Sequence, residues 1–294
     1  MITINIKGGL GNQLFQIFTL IAYSITNNIV FVLPNYKQLG FAQNGTTVRY
    51  TYWDTFFSEL QRHVVPINNI KQIPIIKEKS FKYQSIPFYS HNIFMLDGYF
   101  QSYKYFDDNK QLIFNIIKLN NKKNVLKQKI ETNMSMNINE LTNVVSMHFR
   151  FGDYKKYPDM YPLMTEIYYI NALKYMKSQN KSIKKVLYFC QDEDLTEVTN
   201  IINILSYKFP TITFERICNN LCDWEQLLLM SICKYNIIAN STFSWWGAYF
   251  NEYNDKIVCY PKDWFIQKKT MDVSTMHPTD WIEISNITLQ DSIY

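Results

Sequence analysis

The chain has 294 residues, of which 47% are hydrophobic and 19% are charged. It is therefore long enough for a large core and for two domains. A net charge of +5 indicates a mild preference for anionic partners and does not indicate a nucleic-acid partner. No apolar run reaches the roughly 20 residues that a membrane span needs. Peripheral contact is thus the one membrane association that the composition leaves open.

The cysteines and the first residues indicate where the protein works. Ile2, Ile4 and Ile6 alternate with polar residues, which predicts a strand and not a signal peptide. Five cysteines are an odd number, they lack the spacing of a disulfide framework, and no nearby histidine completes a zinc site. They are Cys190, Cys218, Cys222, Cys233 and Cys259. We therefore expect reduced thiols and a cytoplasmic location.

A glycine-rich turn follows the first strand. The turn, Gly8 to Gln13, leads into apolar residues at helical spacing between Leu14 and Ile25. Strand, turn and amphipathic helix are the opening unit of a doubly wound α/β fold. The turn is neither a G-x-G-x-x-G nor a Walker sequence, so we do not predict NAD or ATP binding. Its glycines, including Gly11, allow a ligand to approach closely, and Asn12 either caps the helix or contacts the ligand.

The rest of the first half carries weaker signals. Residues 95–102 predict a strand that enters a polar loop, where Gln101 and Ser102 either contact an acceptor or are merely surface polar residues. Residues 118–143, rich in Asn, Lys and Ile, predict a helix and then an exposed connection. This segment is the candidate domain boundary.

The second half alternates strands and helices. Strands are predicted near residues 144–147, 185–190, 212–214, 235–239 and 257–260. Such alternation is typical of a parallel sheet.

Polar side chains collect where three of these strands end. The groups are His148, Arg150 and Asp153; Asp192, Glu193 and Asp194; and Asn240, Ser241, Thr242 and Ser244 with Phe243 among them. Ligands of parallel sheets bind beyond the carboxyl ends of the strands. The first group offers an arginine fork for a phosphate, although an Arg150–Asp153 ion pair beside a core histidine is the simpler interpretation.

The other two groups extend this interpretation. A helix that starts at the third group offers hydroxyls and backbone N–H groups to a second phosphate oxygen. The second group offers carboxylates to a base or ribose, or, as a D-x-D pattern, to a metal ion. Trp245 either stacks on a sugar or lies in the core. Together the groups predict a nucleotide diphosphate site without an obligatory metal.

Four motifs make the chain similar to glycosyltransferase family 11, the α-1,2-fucosyltransferases. They are Gly8-Gly9-Leu10-Gly11-Asn12-Gln13-Leu14-Phe15-Gln16, Gly98-Tyr99-Phe100-Gln101-Ser102, His148-x-Arg150-x-Gly152-Asp153-Tyr154, and Asn240-Ser241-Thr242-Phe243-Ser244-Trp245-Trp246-Gly247. Their order along the chain is the family's, and the first and last are highly specific. The resemblance covers nearly the whole chain.

The resemblance implies a GT-B-like α/β fold with two Rossmann-like lobes that face each other across a cleft. Residues 1–143 would form the N-terminal lobe on the acceptor side, with the glycine-rich loop, and residues 144–294 the lobe that binds GDP-fucose. It also implies an inverting transfer of L-fucose from GDP-β-L-fucose to a glycan hydroxyl, which gives an α-1,2-fucoside of a terminal galactoside. No metal or other cofactor is expected.

Residue roles follow from the motifs and the resemblance. Arg150 would neutralise the departing phosphate, with Asp153 and His148 as candidate bases; Asp153 could equally orient Arg150. Acceptor contacts would come from Gln101 and Trp245. The predicted donor contacts are Gly11, Asn12, Asp192, Asn240, Ser241, Thr242, Phe243 and Ser244. One departure stands out, since Phe151 occupies the place of the family's second adjacent arginine.

Three alternatives remain at this stage. Asp192 and Asp194 would serve a metal-dependent transferase. A protein O-fucosyltransferase is the nearest alternative with related chemistry. The missing second arginine at Phe151 would suit a non-catalytic protein that binds glycans or nucleotide sugars.

Overall fold

A computed structural model describes residues 1–41, 48–66, 73–90, 93–134, 137–217, 221–267 and 270–287. The chain divides into two compact units. The first unit comprises Met1–Lys122 and Lys268–Thr279, and the second comprises Lys123–Gln267 and Asp280–Tyr294. The assignment of an acceptor lobe to residues 1–143 and a donor lobe to residues 144–294 stays a prediction.

The first unit contains a parallel sheet of three strands. Its central strand is β7, with β1 and β6 on either side. Helix α1 is mostly buried because its apolar residues recur at helical spacing. Two further pairs are parallel β2–β5 and antiparallel β3–β4. The elements are β1 (Ile2–Ile4), α1 (Leu10–Asn27), β2 (Leu33–Pro34), β3 (Gln38–Phe41), β4 (Val48–Tyr50), β5 (Val64–Val65), β6 (Ile75–Lys77), β7 (Phe94–Asp97) and α2 (Lys110–Ile116).

The second unit is a six-stranded sheet in which all strand pairs are parallel. Its elements are β8 (Val144–His148), α4 (Glu166–Gln179), β9 (Lys185–Phe189), α5 (Leu195–Lys208), β10 (Thr213–Arg216), α6 (Asp223–Ile232), β11 (Tyr235–Ile237), α7 (Thr242–Tyr249), β12 (Ile257–Pro261) and β13 (Ile282–Ile284), preceded by α3 (Leu119–Met134). The strand order is β10-β9-β8-β11-β12-β13. Counted from β8, this is the 3-2-1-4-5-6 order of the doubly wound dinucleotide fold. The order reverses between β8 and β11.

Two buried tyrosines of α4 hold the ends of the strands at this reversal. The Tyr169 hydroxyl donates to the His148 carbonyl at 3.1 Å, and the Tyr168 hydroxyl lies 2.5 Å from the Ile238 carbonyl. Both rings are fully buried among the apolar side chains of the sheet and of α4 and α5. The helix thereby restrains the backbone just where β8 and β11 end.

The α/β class and the parallel sheet of the second half are confirmed. All five strands predicted there are present, and the sequence pattern missed α5 and the edge strand β13. The GT-B arrangement of facing lobes stays a prediction. Cys190, Cys222, Cys233 and Cys259 are free thiols, whereas Cys218 lies outside the described residues. Within the described ranges, no helix combines the length and the apolar composition that crossing a membrane requires.

Candidate active site

Two of the four motifs meet where the sheet of the second unit reverses its strand order. His148 is the last residue of β8, and Asn240 follows the neighbouring strand β11 and precedes α7. The rings of His148 and Phe243 lie 5.7 Å apart, centroid to centroid, and the Tyr154 hydroxyl donates to the Asn240 carbonyl at 3.0 Å. In doubly wound sheets the crevice at such a reversal is where ligands bind.

Arg150 lies in the loop after β8 and is held by three neighbours. Its Nη1 donates to Gln191 Oε1 at 2.6 Å, and its Nη2 pairs with the Asp153 carboxylate. The guanidinium carbon lies 5.0 Å from the centroid of the Tyr154 ring. The simpler interpretation, an Arg150–Asp153 ion pair, is therefore observed. Because this pair offsets part of the arginine charge, Arg150 alone is not a strong net cation.

His148 is a neutral imidazole in this environment. Burial and the nearby charge of Arg150 lower its pKa to about 3. The residue is 8% exposed, and its Nδ1 has no hydrogen-bond partner among the described residues. An imidazole with so low a pKa is a weak base at neutral pH, but its buried nitrogen remains available for a hydrogen bond.

At the start of α7, backbone N–H groups and the Ser241 hydroxyl make no hydrogen bond within the helix. The first hydrogen bond within the helix runs from the Trp245 N–H to the Ser241 carbonyl at 3.0 Å, so the N–H groups of the preceding turn need other partners. Ser241 occupies the N-cap position, yet its hydroxyl makes no capping bond. Thr242 and Phe243 are partly exposed. This helix start has the donors and the dipole orientation that favour an anion.

Two predicted contacts at this helix are not supported. Ser244 is fully buried, and its hydroxyl donates to the Ser241 carbonyl at 3.3 Å, so only its backbone N–H remains for a ligand. Trp245 is also fully buried and stacks on Tyr249 with centroids 4.8 Å apart. Its ring therefore has no exposed face for an acceptor sugar. Two adjacent aromatic residues at a helix start here serve core packing.

Asn240 makes structural contacts, and its predicted donor contact stays a prediction. Its side-chain nitrogen donates to the carbonyl of Pro162 at 2.9 Å and to that of Trp264 at 3.2 Å, which ties together two segments of the second unit. Its Oδ1 is buried and has no hydrogen-bond partner within the described ranges. A donor from a ligand would satisfy this oxygen.

The two aspartates of the D-x-D pattern do not act together. Asp192 is exposed and pairs with Arg216. Asp194 is fully buried and accepts the Gly152 N–H. In the part of the chain that the structure describes, no group of three His, Cys, Asp or Glu side chains could hold a metal ion. Asp192 as a donor contact stays a prediction.

In the first unit, the glycine-rich loop packs against the first turn of α1. The helix begins at Leu10, after Gly9 at the N-cap position. Of the two roles considered for Asn12, the helix cap is therefore wrong, and the ligand contact stays a prediction. Gly8 has φ +82°, and a Cβ there would lie 2.5 Å from Asn12 Nδ2. This close approach requires glycine. Gly11 is buried within the first turn of α1, and because glycine has no side chain, only its backbone could contact a ligand.

A second loop of the first unit meets Asn12. Gln101 Nε2 donates to Asn12 Oδ1 at 3.0 Å, while Gln101 Oε1 is buried and, in the described ranges, has no partner. Gln16 joins the two loops, since its Oε1 accepts the Lys7 N–H at 3.1 Å and its Nε2 donates to the Gly98 carbonyl at 3.3 Å. Asn12, a predicted donor contact, and Gln101, a predicted acceptor contact, are thus in contact with each other.

Glu78 supports this second loop, and sequence reasoning missed it. Its carboxylate accepts the N–H of Tyr99 at 2.7 Å and that of Phe100 at 3.0 Å. Phe100 has the rare left-handed φ of +52°, which costs free energy unless its surroundings hold it. Burial raises the pKa of Glu78. Since Glu78 is some 20 residues distant in sequence, no local pattern could identify it.

Comparison with known proteins shows which family the chain matches. The family model described as Glycosyl transferase family 11 matches residues 1–285. The chain is 27% identical to an alpha-1,2-colitosyltransferase of Escherichia coli, over 97% of this chain and 99% of that protein. It is 32% identical to the O-antigen biosynthesis glycosyltransferase WbnK of Escherichia coli, over 62% of this chain and 60% of that protein.

Proposed function

The chain belongs to glycosyl transferase family 11, and on that premise we propose that it transfers L-fucose from GDP-β-L-fucose to a hydroxyl of an acceptor glycan. The product would be an α-1,2-fucoside of a terminal galactoside, formed with inversion. One observation carries the proposal: the Arg150 loop and the start of α7 meet beyond the ends of β8 and β11. Both can bind an anionic diphosphate.

The proposed rate enhancement comes from donors aimed at the departing GDP. Breaking the bond between fucose and phosphate builds negative charge on GDP, and preorganised donors stabilise that charge most in the transition state. We assign this role to Arg150, the Ser241 hydroxyl and the N–H groups of the first turn of α7. Because Asp153 offsets part of the arginine charge, the helix start is expected to supply an essential share.

The proposed route needs only a weak base for the acceptor hydroxyl. Of the two candidates, His148 has its pKa lowered to about 3, and Asp153 is already bound to Arg150. We therefore assign Asp153 to orienting Arg150. Positive charge at the sugar would precede proton loss. Because inversion brings the acceptor to the face opposite the departing diphosphate, water would then accept the proton.

We assign the acceptor to the first unit, at Gln101. Its buried, unpartnered Oε1 calls for a donor such as a sugar hydroxyl. Asn12 fixes the other end of the amide, so Oε1 and not Nε2 faces that donor. This assignment belongs with the GT-B arrangement of two facing lobes, which is also proposed. The protein would act on intracellular nucleotide sugar without a metal.

Similarity to one relative favours an alternative sugar donor. The alpha-1,2-colitosyltransferase matches this chain over nearly its full length. Colitose is L-fucose without the 3-hydroxyl, so the two donors differ by one hydrogen-bonding group. A site that bonds this hydroxyl would reject GDP-colitose by about 10⁴-fold, whereas an apolar site would discriminate about 10²-fold or less.

The test is GDP release from a panel of GDP-fucose, GDP-colitose and GDP-mannose, with and without a terminal β-galactoside. We expect acceptor-dependent release from GDP-fucose and an α-1,2 linkage in the product. Preference for GDP-colitose would replace the donor but not the family. A protein acceptor used in place of the glycan would support protein O-fucosylation. Loss of activity in EDTA would contradict the metal-free proposal.

A non-catalytic binding protein would bind GDP-fucose without releasing GDP from it. The motive for that alternative was Phe151, which stands where the family has a second arginine. Phe151 is 4% exposed and packs in the core of the second unit, 6.4 Å from the ring of Phe149 between centroids. An apolar side chain suits that buried position. Phe151 is thus compatible with an active enzyme that depends on Arg150.

A further inference from the structure

The turn between β9 and α5 holds the Arg150 loop by a buried carboxylate. Asp194 is fully buried, and its two oxygens accept the Gly152 N–H at 2.9 and 2.8 Å. Lys155 Nζ lies 3.0 Å from the same carboxylate. A buried charge is costly unless it is paired and hydrogen-bonded. The two contacts therefore stabilise Asp194, and through it they tie the backbone two residues after Arg150.

Gly152 allows the loop to approach this turn closely. Its φ is +34°, and a Cβ there would lie 2.5 Å from Gln191 Oε1 and 3.1 Å from Glu193 Oε1. Any other residue would strain the backbone and displace the Gln191 side chain. The short distance between loop and turn thus depends on the absence of a side chain.

Gln191, from the same turn, holds the guanidinium itself. Arg150 Nη1 donates to Gln191 Oε1 at 2.6 Å, while Nη2 pairs with Asp153. A planar guanidinium that is bonded at two nitrogens keeps a defined orientation. The turn therefore restrains the arginine at its side chain, through Gln191, and at its loop, through Asp194.

We propose that Asp194, together with Gln191, is a positioning residue that sets where the guanidinium of Arg150 lies. Its role in the reaction rests on the proposed function, in which Arg150 meets the departing diphosphate. A catalytic group must be held to about 0.5 Å, and a displacement of about 1 Å can reduce the rate 10²-fold. The second aspartate of the D-x-D pattern thus orients an arginine and does not hold a metal ion.

Asp194→Asn tests the role in the reaction. The variant keeps the side-chain shape, loses the charge that pairs with Lys155, and presents one acceptor oxygen to Gly152 where there were two. We expect kcat for GDP-fucose to fall about 10- to 100-fold. The matched control is Glu197→Gln, which removes a carboxylate that contacts the same lysine from the surface, at 47% side-chain exposure. The control is expected to keep wild-type kcat.

Arginine NMR tests the positioning itself, independently of any activity. The chain has only four arginines, Arg49, Arg62, Arg150 and Arg216, so ¹⁵N-arginine labelling gives a countable set of Nε–Hε signals. Loss of one signal in Arg150→Lys assigns Arg150. In Asp194→Asn we expect that signal to shift and its heteronuclear NOE to fall, whereas in Glu197→Gln it stays unchanged.

Each outcome decides the proposal. An unchanged Arg150 signal in folded Asp194→Asn overturns it, and so does a kcat loss equal to that of Asp194→Asn in the Glu197→Gln control. If the signal changes but the wild-type protein releases GDP from no donor, the proposed function fails while the positioning of Arg150 stands. If Asp194→Asn does not fold, the exposed Gln191→Ala decides, since an unperturbed Arg150 signal there also overturns the proposal.

Discussion

Replacing Arg150 with lysine keeps the positive charge and removes the planar fork. The guanidinium uses two different nitrogens, Nη1 for Gln191 at 2.6 Å and Nη2 for the Asp153 carboxylate. A lysine ammonium is a compact point charge on a flexible stem and cannot reproduce both directions at once. The variant is therefore expected to lose at least one charge-assisted hydrogen bond, and with it the fixed orientation toward the phosphate.

The expected magnitude follows from that loss. A hydrogen bond to a charged group contributes about 1.5–3 kcal/mol, and about 1.4 kcal/mol corresponds to a factor of ten. If the misdirected charge loses one such bond to the departing diphosphate in the transition state, kcat falls about 10- to 150-fold. Removing a transition-state donor typically costs about 10²–10³-fold. We expect Arg150→Lys to lose about 10²-fold.

The assay is the initial rate of GDP release at saturating GDP-fucose and acceptor. Arg216→Lys is the matched control, because Arg216 lies in the same unit, pairs with Asp192, and has a side-chain exposure of 19% against 18% for Arg150. The control should keep wild-type turnover, and both variants should keep a near-wild-type Tm. Near-normal turnover of Arg150→Lys, or equal impairment of the two variants, would refute the reasoning.

Three further predictions concern neighbouring residues. Ser241→Ala should leave Tm nearly unchanged, because its hydroxyl makes no capping bond where a capping serine contributes about 1 kcal/mol, while calorimetry should show weaker GDP binding. Asp153→Asn should reduce kcat about tenfold and leave the shape of the pH profile of kcat/KM as in the wild-type protein, since Asp153 orients Arg150 and is not the base. His148→Gln should make the folding stability less sensitive to acid. Burial holds the pKa of His148 at about 3 in the folded protein, below the usual value of about 6.5. The unfolded chain therefore binds the extra proton, and stability is lost as pH falls from about 6.5 towards 3. Denaturant unfolding should show the wild-type protein losing about 2 kcal/mol more than the variant between pH 7 and pH 5.

Each of these has a contradicting outcome. A Tm fall of several degrees in Ser241→Ala would mean that the hydroxyl caps the helix after all. If the wild-type profile has an acid limb that disappears in Asp153→Asn, Asp153 is the base. Equal acid sensitivity of the wild-type protein and His148→Gln would contradict the buried, neutral imidazole.

Much of the second unit was predictable because its signals are local. Strands such as β8 and β9 are continuous apolar runs, which is what strands covered on both faces of a parallel sheet require. Residues at the carboxyl ends of parallel strands share one edge, so the sequence predicted that the Arg150 loop and Asn240 lie at the same edge; their contact depends on the strand order of the structure. The family motifs pointed to the same residues.

Other details depended on partners that are remote in sequence. Asn12 is a residue type that often caps helices, but the helix begins two residues earlier. The side-chain oxygen of Asn12 instead accepts a hydrogen bond from Gln101, 89 residues away. Trp245 is a residue type that often stacks on sugars, but here Tyr249 and the surrounding core bury its ring. Side-chain exposure is set by packing, which no residue type reveals by itself.

The amino-acid sequence alone was sufficient for the α/β class, the parallel sheet, the family and the position of Arg150 at a strand end, because periodicity and motifs are properties of neighbouring residues. Tertiary structure alone decided how Arg150 is held. Gln191 contacts its side chain across 41 positions of the chain, and Asp194 contacts its loop at Gly152 across 42 positions. Contacts of that separation exist only once the sheet has brought β8 and β9 side by side.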